Sequence, residues 1–145
     1  MIRYLKGNIF EASAQTIVNP VNLRGVMGKG LALEYKNKFP GLFQAYALDV
    51  VGKKIGIGVP TIWKGPDKWI VNFPTKDDWR NPSEYEYIEK GLQGLRPRLD
   101  EWGVLSIAMP SLGCGLGSLD WNKVRPMIEK HLGDMEMTIE VYEPR

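Results

Sequence analysis

The sequence predicts an α/β fold in which a mostly parallel or mixed sheet is covered by helices on both faces. Segments with strand and helix patterns alternate to the end of the chain, which is typical of this class. In the run from Val104 to Met109, both alternating sets of positions carry apolar residues, as expected for a strand buried on both faces. Between Pro82 and Gly103, apolar residues recur at spacings of three and four, which predicts a long helix with one core-facing stripe.

The first part of the chain predicts two short strands and two helices. Ile2 to Leu5 and Thr16 to Asn19 have strand composition, and the second strand is expected to end at the proline that follows. The small residues between these strands leave room for a short helix. Helical spacing of apolar residues predicts one helix from Gly30 to Phe39, stopped by a Pro-Gly pair, and another from about Leu42 to Val51.

The second part predicts a hairpin, a capped helix and a last strand. Ile55 to Trp63 and Trp69 to Phe73 are rich in β-branched and aromatic residues, and we expect them to pair antiparallel. Three consecutive residues, Ser118, Leu119 and Asp120, are candidate caps for a helix from about Trp121 to Leu132. The final strand is expected from Thr138 to Tyr142.

Composition limits the classes of protein that the chain can represent. Its 145 residues suit one domain over residues 1–145, and 43% hydrophobic with 25% charged residues exclude long disorder. A net charge of +2 gives no global argument for nucleic-acid binding. We expect a cytoplasmic protein, because no apolar run approaches roughly 20 residues and the first four residues lack the apolar core of a signal peptide.

The chain has one cysteine and one histidine, which limits metal and thiol chemistry. No intrachain disulfide is possible, and no dedicated zinc cluster or other metal site is expected. Cys114 lies between two glycines, and a packing or backbone role is favoured over a nucleophilic one because His131 is distant in sequence. His131 itself is expected at the surface or at a helix end.

Two glycine-rich loops each connect a predicted strand to a predicted helix. The first runs from Asn19 to Gly30, and the second contains Gly113, Gly115 and Gly117. Glycines let backbone amides approach a ligand, and a helix N-terminus favours anions, so phosphate or ribose is a suitable ligand. The alternative is a pair of turns that merely require glycine. Neither loop matches the dinucleotide-binding fingerprint or a P-loop.

A third segment places a lysine next to charged and aromatic residues. Lys76 in a partly dry cleft would have a depressed pKa and could act as a nucleophile, whereas on the surface it would pair with Asp77 or Asp78. Trp79 and Arg80 could stack on a nucleic-acid base and hold a phosphate, or they could simply pack over the loop.

These segments together resemble the macrodomain family, and within it the branch of DNA ADP-ribosyl glycohydrolase antitoxins. The resemblance covers nearly the whole chain and is carried by four motifs in order: Lys6 to Phe10, Val18 to Asn22 with Gly25 to Ala32, Asn72 to Lys76, and Pro110 to Gly117. It implies a three-layer α/β/α sandwich with a central mixed sheet. It also implies removal of ADP-ribose from thymine in single-stranded DNA, which reverses the action of a DarT-type toxin, the partner expected for this chain.

The resemblance further implies how ADP-ribose would lie in a cleft between the loops. The adenine would lie at the first motif, the diphosphate on the amides of the second glycine loop, and the distal ribose within the first glycine loop. No cofactor is implied. The implied ADP-ribose-binding residues are Asn8, Ile9, Asn22, Gly25, Val26, Met27, Gly28, Lys29, Gly30, Thr75, Ser111, Gly113, Cys114, Gly115, Leu116 and Gly117.

Two residues are implied to be catalytic. By analogy with lysine-dependent relatives, Lys76 would attack C1 of the distal ribose, or stabilise charge there, while Asn22 positions the ribose. Candidate DNA contacts near these motifs are Arg24, Trp79 and Arg80. Two other functions fit the same resemblance: a reader that binds ADP-ribose without turnover, and a hydrolase of protein-linked or O-acetyl ADP-ribose.

The sequence departs from the family pattern at two positions. Asn8 stands where many macrodomains have an aspartate for the adenine amino group, and its carbonyl can accept the same hydrogen bond without a charge. Gly117 stands where a protein-directed relative has an acid, which favours the DNA-directed branch. The proton donor to the leaving base is left open among Asp77, Asp78 and water.

Overall fold

The computed structural model describes residues 1–144, over which six strands and four α-helices alternate. A single 3₁₀ turn, Ile9–Glu11, lies between the first two strands. In chain order the elements are β1 (Ile2–Leu5), β2 (Thr16–Val21), α1 (Gly30–Lys38), α2 (Leu42–Val51), β3 (Thr61–Lys64), β4 (Trp69–Pro74), α3 (Tyr85–Trp102), β5 (Ile107–Pro110), α4 (Trp121–Leu132) and β6 (Ile139–Tyr142).

The strands form one mixed sheet in the order β1-β6-β5-β2-β4-β3. All neighbours are parallel except β3 and β4, which pair antiparallel. The chain leaves β2 toward β3 on one side of the sheet and leaves β5 toward β6 on the other, so the connections diverge between β2 and β5. In open α/β sheets, ligands bind beyond the carboxyl ends of the strands at such a point.

Helices cover both faces of the sheet, which confirms the predicted three-layer α/β/α sandwich. On one face, the apolar stripes of α3 and α4, including Leu95 and Ile128, pack against Val18 and Met109 of the central strands. On the other face, α1 and α2 pack on the sheet through residues such as Tyr35, Leu42 and Tyr46. Alternate residues of each central strand therefore enter two separate cores. None of the helices over residues 1–144 combines the length and apolar character needed to span a bilayer.

The main differences from the predicted elements occur where glycine or proline interrupts a strand pattern. The predicted strand from Ile55 begins only at Thr61, because residues 56–59 form a turn closed by a Gly56–Val59 bridge, with Gly58 at a φ of 80°. In contrast, β2 continues through Pro20. That residue lies beyond the part of β2 that pairs with β5, so its missing N–H removes no ladder bond on that side.

Two further boundaries shift at the end of α3 and beyond. The strand predicted from Val104 begins at Ile107, because the Val104 N–H still bonds to the Leu99 carbonyl at the end of α3, at 3.0 Å. Gly103 ends that helix in the left-handed region, with a φ of 75°. Of the three candidate caps, Asp120 caps α4, and its side chain accepts from the Asn122 N–H at 2.9 Å.

Candidate active site

Three loops meet at the carboxyl edge of the sheet and enclose a cleft of about 1160 Å³. They follow β2, β4 and β5, the three central strands, so their proximity is a direct result of the parallel pairing of these strands. A second cavity of about 340 Å³ adjoins the cleft and opens toward the first motif. Both are lined by Leu31, Pro110, Ser111 and Gly115, which join them into one groove.

Most of the predicted site residues line this groove. The larger cleft is lined by Asn22, Val26, Gly28, Lys29, Gly30, Thr75, Lys76, Trp79, Arg80, Ser111, Gly113, Gly115, Leu116 and Gly117. The smaller cavity is lined by Asn8, Ile9, Ser111, Cys114 and Gly115. The groove thus runs from the first motif to Lys76, and both glycine loops lie between these ends.

Three predicted site residues do not line either cavity. The Met27 side chain is almost completely buried in the core between the sheet and helices α1 and α2, so it attaches the first glycine loop to that core. Gly25 occupies the left-handed region, with a φ of 76°, at the outer turn of that loop. Arg24 points toward the neighbouring loop, where its guanidinium lies 3.6 Å from Asp77 and 3.9 Å from Asp78.

Lys76 places its ammonium group at the junction of two loops. Nζ donates to the Leu116 carbonyl at 3.1 Å and lies 3.4 Å from the Trp79 carbonyl. Partial burial lowers its pKa from the usual lysine value. The surface alternative, a pair with Asp77 or Asp78, is wrong, because those carboxylates contact Arg24 and Arg80 instead.

Asn22 is 8% exposed and holds the first glycine loop together through its side chain. Its Oδ1 accepts from the backbone N–H of Arg24 at 2.9 Å and of Val26 at 3.4 Å, and its Nδ2 donates to the Val26 carbonyl at 2.7 Å. The Tyr46 hydroxyl reaches the same residue from α2. Within residues 1–144, one Nδ2 hydrogen of Asn22 is left without a partner.

The second glycine loop is fixed by its neighbours at close range. The Ser83 N–H donates to the Gly117 carbonyl at 3.0 Å. A Cβ on Gly117 would overlap the Ser83 hydroxyl and the Gly113 carbonyl oxygen, and it would lie 2.9 Å from Ser83 Cβ. The absence of an acid at position 117 therefore has a steric cause: this loop has no space for a side chain there.

Leu116 connects the two glycine loops across the groove. Its side chain is 64% exposed, and its Cδ1 lies 2.9 Å from where a Cβ of Gly30 would be. Gly30 also has a φ of 58°, so the backbone conformation at this position favours glycine, whereas the exposed Leu116 side chain is free to move aside.

An aromatic and charged rim lies next to Lys76. Trp79 is 41% exposed, and the Arg80 guanidinium lies 5.2 Å from its ring centroid. Asp78 accepts from the Arg80 backbone N–H at 3.0 Å and from its Nε at 3.1 Å. The hydrogen bond from the Arg80 backbone N–H is the main reason that the pKa of Asp78 lies below its usual value. The Arg80 side chain and the charge of Arg24 lower it further. The positive charge of both arginines is therefore partly offset by the acids.

The cysteine and the histidine take no part in the larger cleft. Burial and the nearby Asp120 raise the pKa of Cys114 to about 11, so its thiol stays protonated at neutral pH. His131 lies in the last turn of α4, as predicted, but it is mostly buried, with Nε2 2.9 Å from Glu89. No group of three or more His, Cys, Asp or Glu side chains in the described part of the chain could hold a metal ion.

Sequence reasoning missed part of the groove at both ends. Asn81 and Pro82 line the larger cleft, and Tyr142 and Glu143 line the smaller cavity. Tyr142 ends β6, a parallel strand. The rule that ligands bind beyond the carboxyl ends of parallel strands, here called the carboxyl-edge rule, could therefore have identified it. At Asn8, Oδ1 already accepts from the Phe10 N–H at 3.0 Å and caps the 3₁₀ turn, which leaves it one lone pair for a ligand.

Comparison with known proteins agrees with this architecture. The chain is 44% identical over 149 residues to a DNA ADP-ribosyl glycohydrolase of Thermus aquaticus, an alignment that covers 99% of the chain but 41% of the relative. A glycohydrolase of the same name from Mycobacterium tuberculosis is 42% identical, over 86% of the chain and 36% of the relative. The chain thus spans less than half the length of these curated relatives.

Solved structures show the same fold. The Thermus aquaticus DarG macrodomain superimposes with a TM-score of 0.94 at 44% identity, covering 99% of both chains. Thermosipho africanus DarTG, solved in complex with ADP-ribose, gives a TM-score of 0.93 at 33% identity over 99% of this chain and 41% of that one. The Macro domain family model matches residues 18–128. The chain therefore belongs to the macrodomain family.

Proposed function

We propose that this chain is an ADP-ribosyl hydrolase that binds ADP-ribose in the groove and removes it from thymine bases in single-stranded DNA. Relatives at 44% and 42% identity carry the name DNA ADP-ribosyl glycohydrolase, and a structure at 33% identity contains ADP-ribose. The observation that carries the proposal is the position of Lys76, whose partly buried amine lies at the junction of two ligand-binding loops.

In the proposed complex the adenine lies in the smaller cavity beside Asn8 and Ile9. The diphosphate lies across the second glycine loop, where residues 113–117 present backbone amides, and beside the N-terminus of α1, which favours anions. The distal ribose then reaches the end of the groove that contains Asn22 and Lys76. This order matches the direction of the groove from the first motif to the third loop.

The proposed reaction uses the neutral amine of Lys76. The Nζ lone pair attacks C1 of the distal ribose, and the bond from C1 to the base nitrogen breaks with its electron pair on thymine. The base then takes a proton, and the attacking nitrogen loses one. Water hydrolyses the new bond between C1 and Nζ, which releases ADP-ribose and restores the lysine. A lowered pKa increases the fraction of neutral amine available for the first step.

The structure narrows the choice of proton donor. Asp78 has a lowered pKa because it accepts hydrogen bonds from Arg80 and lies near Arg24, so it is ionised at neutral pH and unsuited to donate a proton. A Cβ at position 117 would overlap Ser83 and the Gly113 carbonyl oxygen, so this position has no room for an acid. Asp77 also contacts Arg24, at 3.6 Å, and lines neither cavity, so we propose a water molecule as the donor.

The rim beside Lys76 is the proposed contact for the DNA strand. The half-exposed indole of Trp79 offers a stacking surface for a base, and Lys29 adds positive charge to the same cleft. Arg80 and Arg24 are less suited to bind phosphates, because both already contact Asp78. We propose Trp79 as the main contact to the modified base or its neighbour.

A cognate DarT-type toxin is the proposed partner of the reaction. A relative from Thermosipho africanus, 33% identical over 97% of this chain, is a fusion of a DNA ADP-ribosyl transferase with a DNA ADP-ribosyl glycohydrolase. That chain joins the two opposing activities. Because the proposed substrate is DNA, we propose that this chain works in the cytoplasm.

The test is release of ADP-ribose from a thymine-ADP-ribosylated single-stranded oligonucleotide. Wild-type protein is compared with Lys76→Ala and Lys76→Arg, after isothermal titration has shown that all three bind free ADP-ribose. We expect wild-type turnover and none in Lys76→Ala. Lys76→Arg keeps the charge but lacks a usable nucleophile, so turnover by this variant would support electrostatic stabilisation in place of covalent attack.

Two outcomes would overturn the proposal. Tight binding of ADP-ribose with no turnover by the wild type would leave a reader module. Faster release from ADP-ribosylated protein than from DNA would assign the chain to protein-linked substrates, a possibility that the 28% identity to the human ADP-ribose glycohydrolase OARD1 makes worth testing.

A further inference from the structure

A buried tyrosine from α2 reaches into the first glycine loop. Tyr46 is fully buried, and its hydroxyl lies 2.7 Å from the Asn22 carbonyl oxygen and 3.0 Å from Asn22 Oδ1. Burial raises the pKa of Tyr46 to about 12, while the backbone amides of Gly25 and Val26 oppose that shift. The hydroxyl therefore keeps its proton for donation, and its oxygen lies inside the turn formed by residues 22–26.

These contacts fix which atom of the Asn22 amide faces which neighbour. Oδ1 accepts from two backbone N–H groups and lies within reach of the Tyr46 hydroxyl, whereas Nδ2 donates to the Val26 carbonyl. A flipped amide would place its NH₂ group against these donors and its oxygen against the Val26 carbonyl, so it would lose these bonds. Asn22 can consequently offer the groove one N–H donor and no acceptor.

We propose that Tyr46 is a positioning residue for the distal ribose: it holds Asn22 so that the free Nδ2–H points to a ribose oxygen. This inference rests on the proposed binding of ADP-ribose. Tyr46 does not line the groove and acts only through Asn22 and the turn that Asn22 closes. Loss of its hydroxyl leaves the adenine and diphosphate contacts in place and removes the ordered donor at the ribose end.

The chain offers a matched control on the neighbouring helix. Tyr35 of α1 is also fully buried on the same face of the sheet, and its hydroxyl donates to the Val18 carbonyl at 2.6 Å. Neither Tyr35 nor Val18 lines the groove. Tyr35→Phe therefore removes an equivalent buried hydrogen bond between a helix and β2 without touching the first glycine loop.

The experiment titrates wild type, Tyr46→Phe and Tyr35→Phe with ADP-ribose and with ADP, which lacks the distal ribose. We expect Tyr46→Phe to weaken binding of ADP-ribose about tenfold, the size of one hydrogen bond, and to leave ADP binding unchanged. Tyr35→Phe should bind both ligands as the wild type does. Urea unfolding of both variants shows whether their losses of stability are comparable.

The outcomes separate this inference from the proposed function. If the wild type binds neither ligand, the proposed function fails, and the role of Tyr46 fails with it. If the wild type binds both and Tyr46→Phe either matches Tyr35→Phe or loses ADP-ribose and ADP equally, only the role of Tyr46 is overturned.

A second measurement covers a Tyr46→Phe variant that does not fold. In wild-type protein, ¹H–¹⁵N spectra report the two side-chain amide hydrogens of Asn22. We expect one to be protected from solvent exchange by the Val26 carbonyl, and the other to shift on addition of ADP-ribose but not of ADP. Two equally exchanging hydrogens, or equal shifts with both ligands, would contradict the proposal.

Discussion

Replacing Gly117 with alanine would add one methyl group at a crowded point of the second glycine loop. The added Cβ would lie 2.9 Å from Ser83 Cβ and would overlap the Ser83 hydroxyl and the Gly113 carbonyl oxygen. That carbonyl is held in place because it accepts from the Leu119 N–H at 2.9 Å. Overpacking of this kind costs about 1–3 kcal/mol, and we expect Gly117→Ala to lose that much unfolding free energy.

Gly115 supplies the control within the same loop. A Cβ there would have no atom within 4 Å, and its φ lies outside the left-handed region. We expect Gly115→Ala to keep the stability of the wild type or to gain up to about 1 kcal/mol through the less flexible unfolded chain. Urea unfolding measures both variants, and equal stability of the two would refute the steric argument.

Gly117→Ala also tests how Lys76 is held. A displaced residue 117 moves the adjacent Leu116 carbonyl, which accepts from Lys76 at 3.1 Å. We expect turnover on modified DNA to fall about tenfold or more, because misplacing a catalytic group by a fraction of an ångström raises the barrier by at least about 1.4 kcal/mol. A destabilised variant with wild-type turnover would show that Leu116 does not position the lysine.

Three other predictions concern pH, DNA contact and the core. Turnover should rise with pH and level off above the lowered pKa of Lys76, because only the neutral amine attacks; a pH–rate profile that falls over this range would contradict attack by the amine. Trp79→Ala should raise the KM for modified DNA by about tenfold, the size of one stacked base, and leave the Kd for free ADP-ribose unchanged, whereas Trp79→Phe should retain most of the affinity. Leu95→Ala removes a fully buried side chain between α3 and the sheet and should cost about 2–5 kcal/mol, measured by urea unfolding against Leu105→Ala, an exposed control that should cost less than about 0.5 kcal/mol.

Local patterns were sufficient to predict most of the fold. The apolar stripe of α3 and the Asp120 cap of α4 act over a few residues, so they can be recognised in the sequence alone. The strand expected from Ile55 was wrong because Gly58 adopts a positive φ and packs against Lys90 of α3, a contact that no local pattern contains. Composition typical of a strand cannot show where a turn is favoured by a distant helix.

The site could be predicted as a set of loops but not as a set of contacts. Glycine spacing and the carboxyl-edge rule identify the residues that surround the groove. They do not indicate that Asn22 is held by Tyr46 from α2, or that Ser83 occupies the space beside Gly117. Both contacts join residues far apart in the chain, and tyrosine or serine at these positions has no distinctive local signal.

The partners of Lys76 explain how a lysine followed by two acids could act as the proposed nucleophile. Asp77 and Asp78 follow it directly, and a carboxylate at its amine would favour the charged form. Arg24 and Arg80 contact these acids instead, and Lys76 bonds to backbone carbonyls. A carbonyl accepts a hydrogen bond from a neutral amine as well as from an ammonium, so the lysine stays in place after it loses its proton. The two arginines, predicted as DNA contacts, thus contribute to catalysis in the proposed reaction by keeping the acids away from the amine.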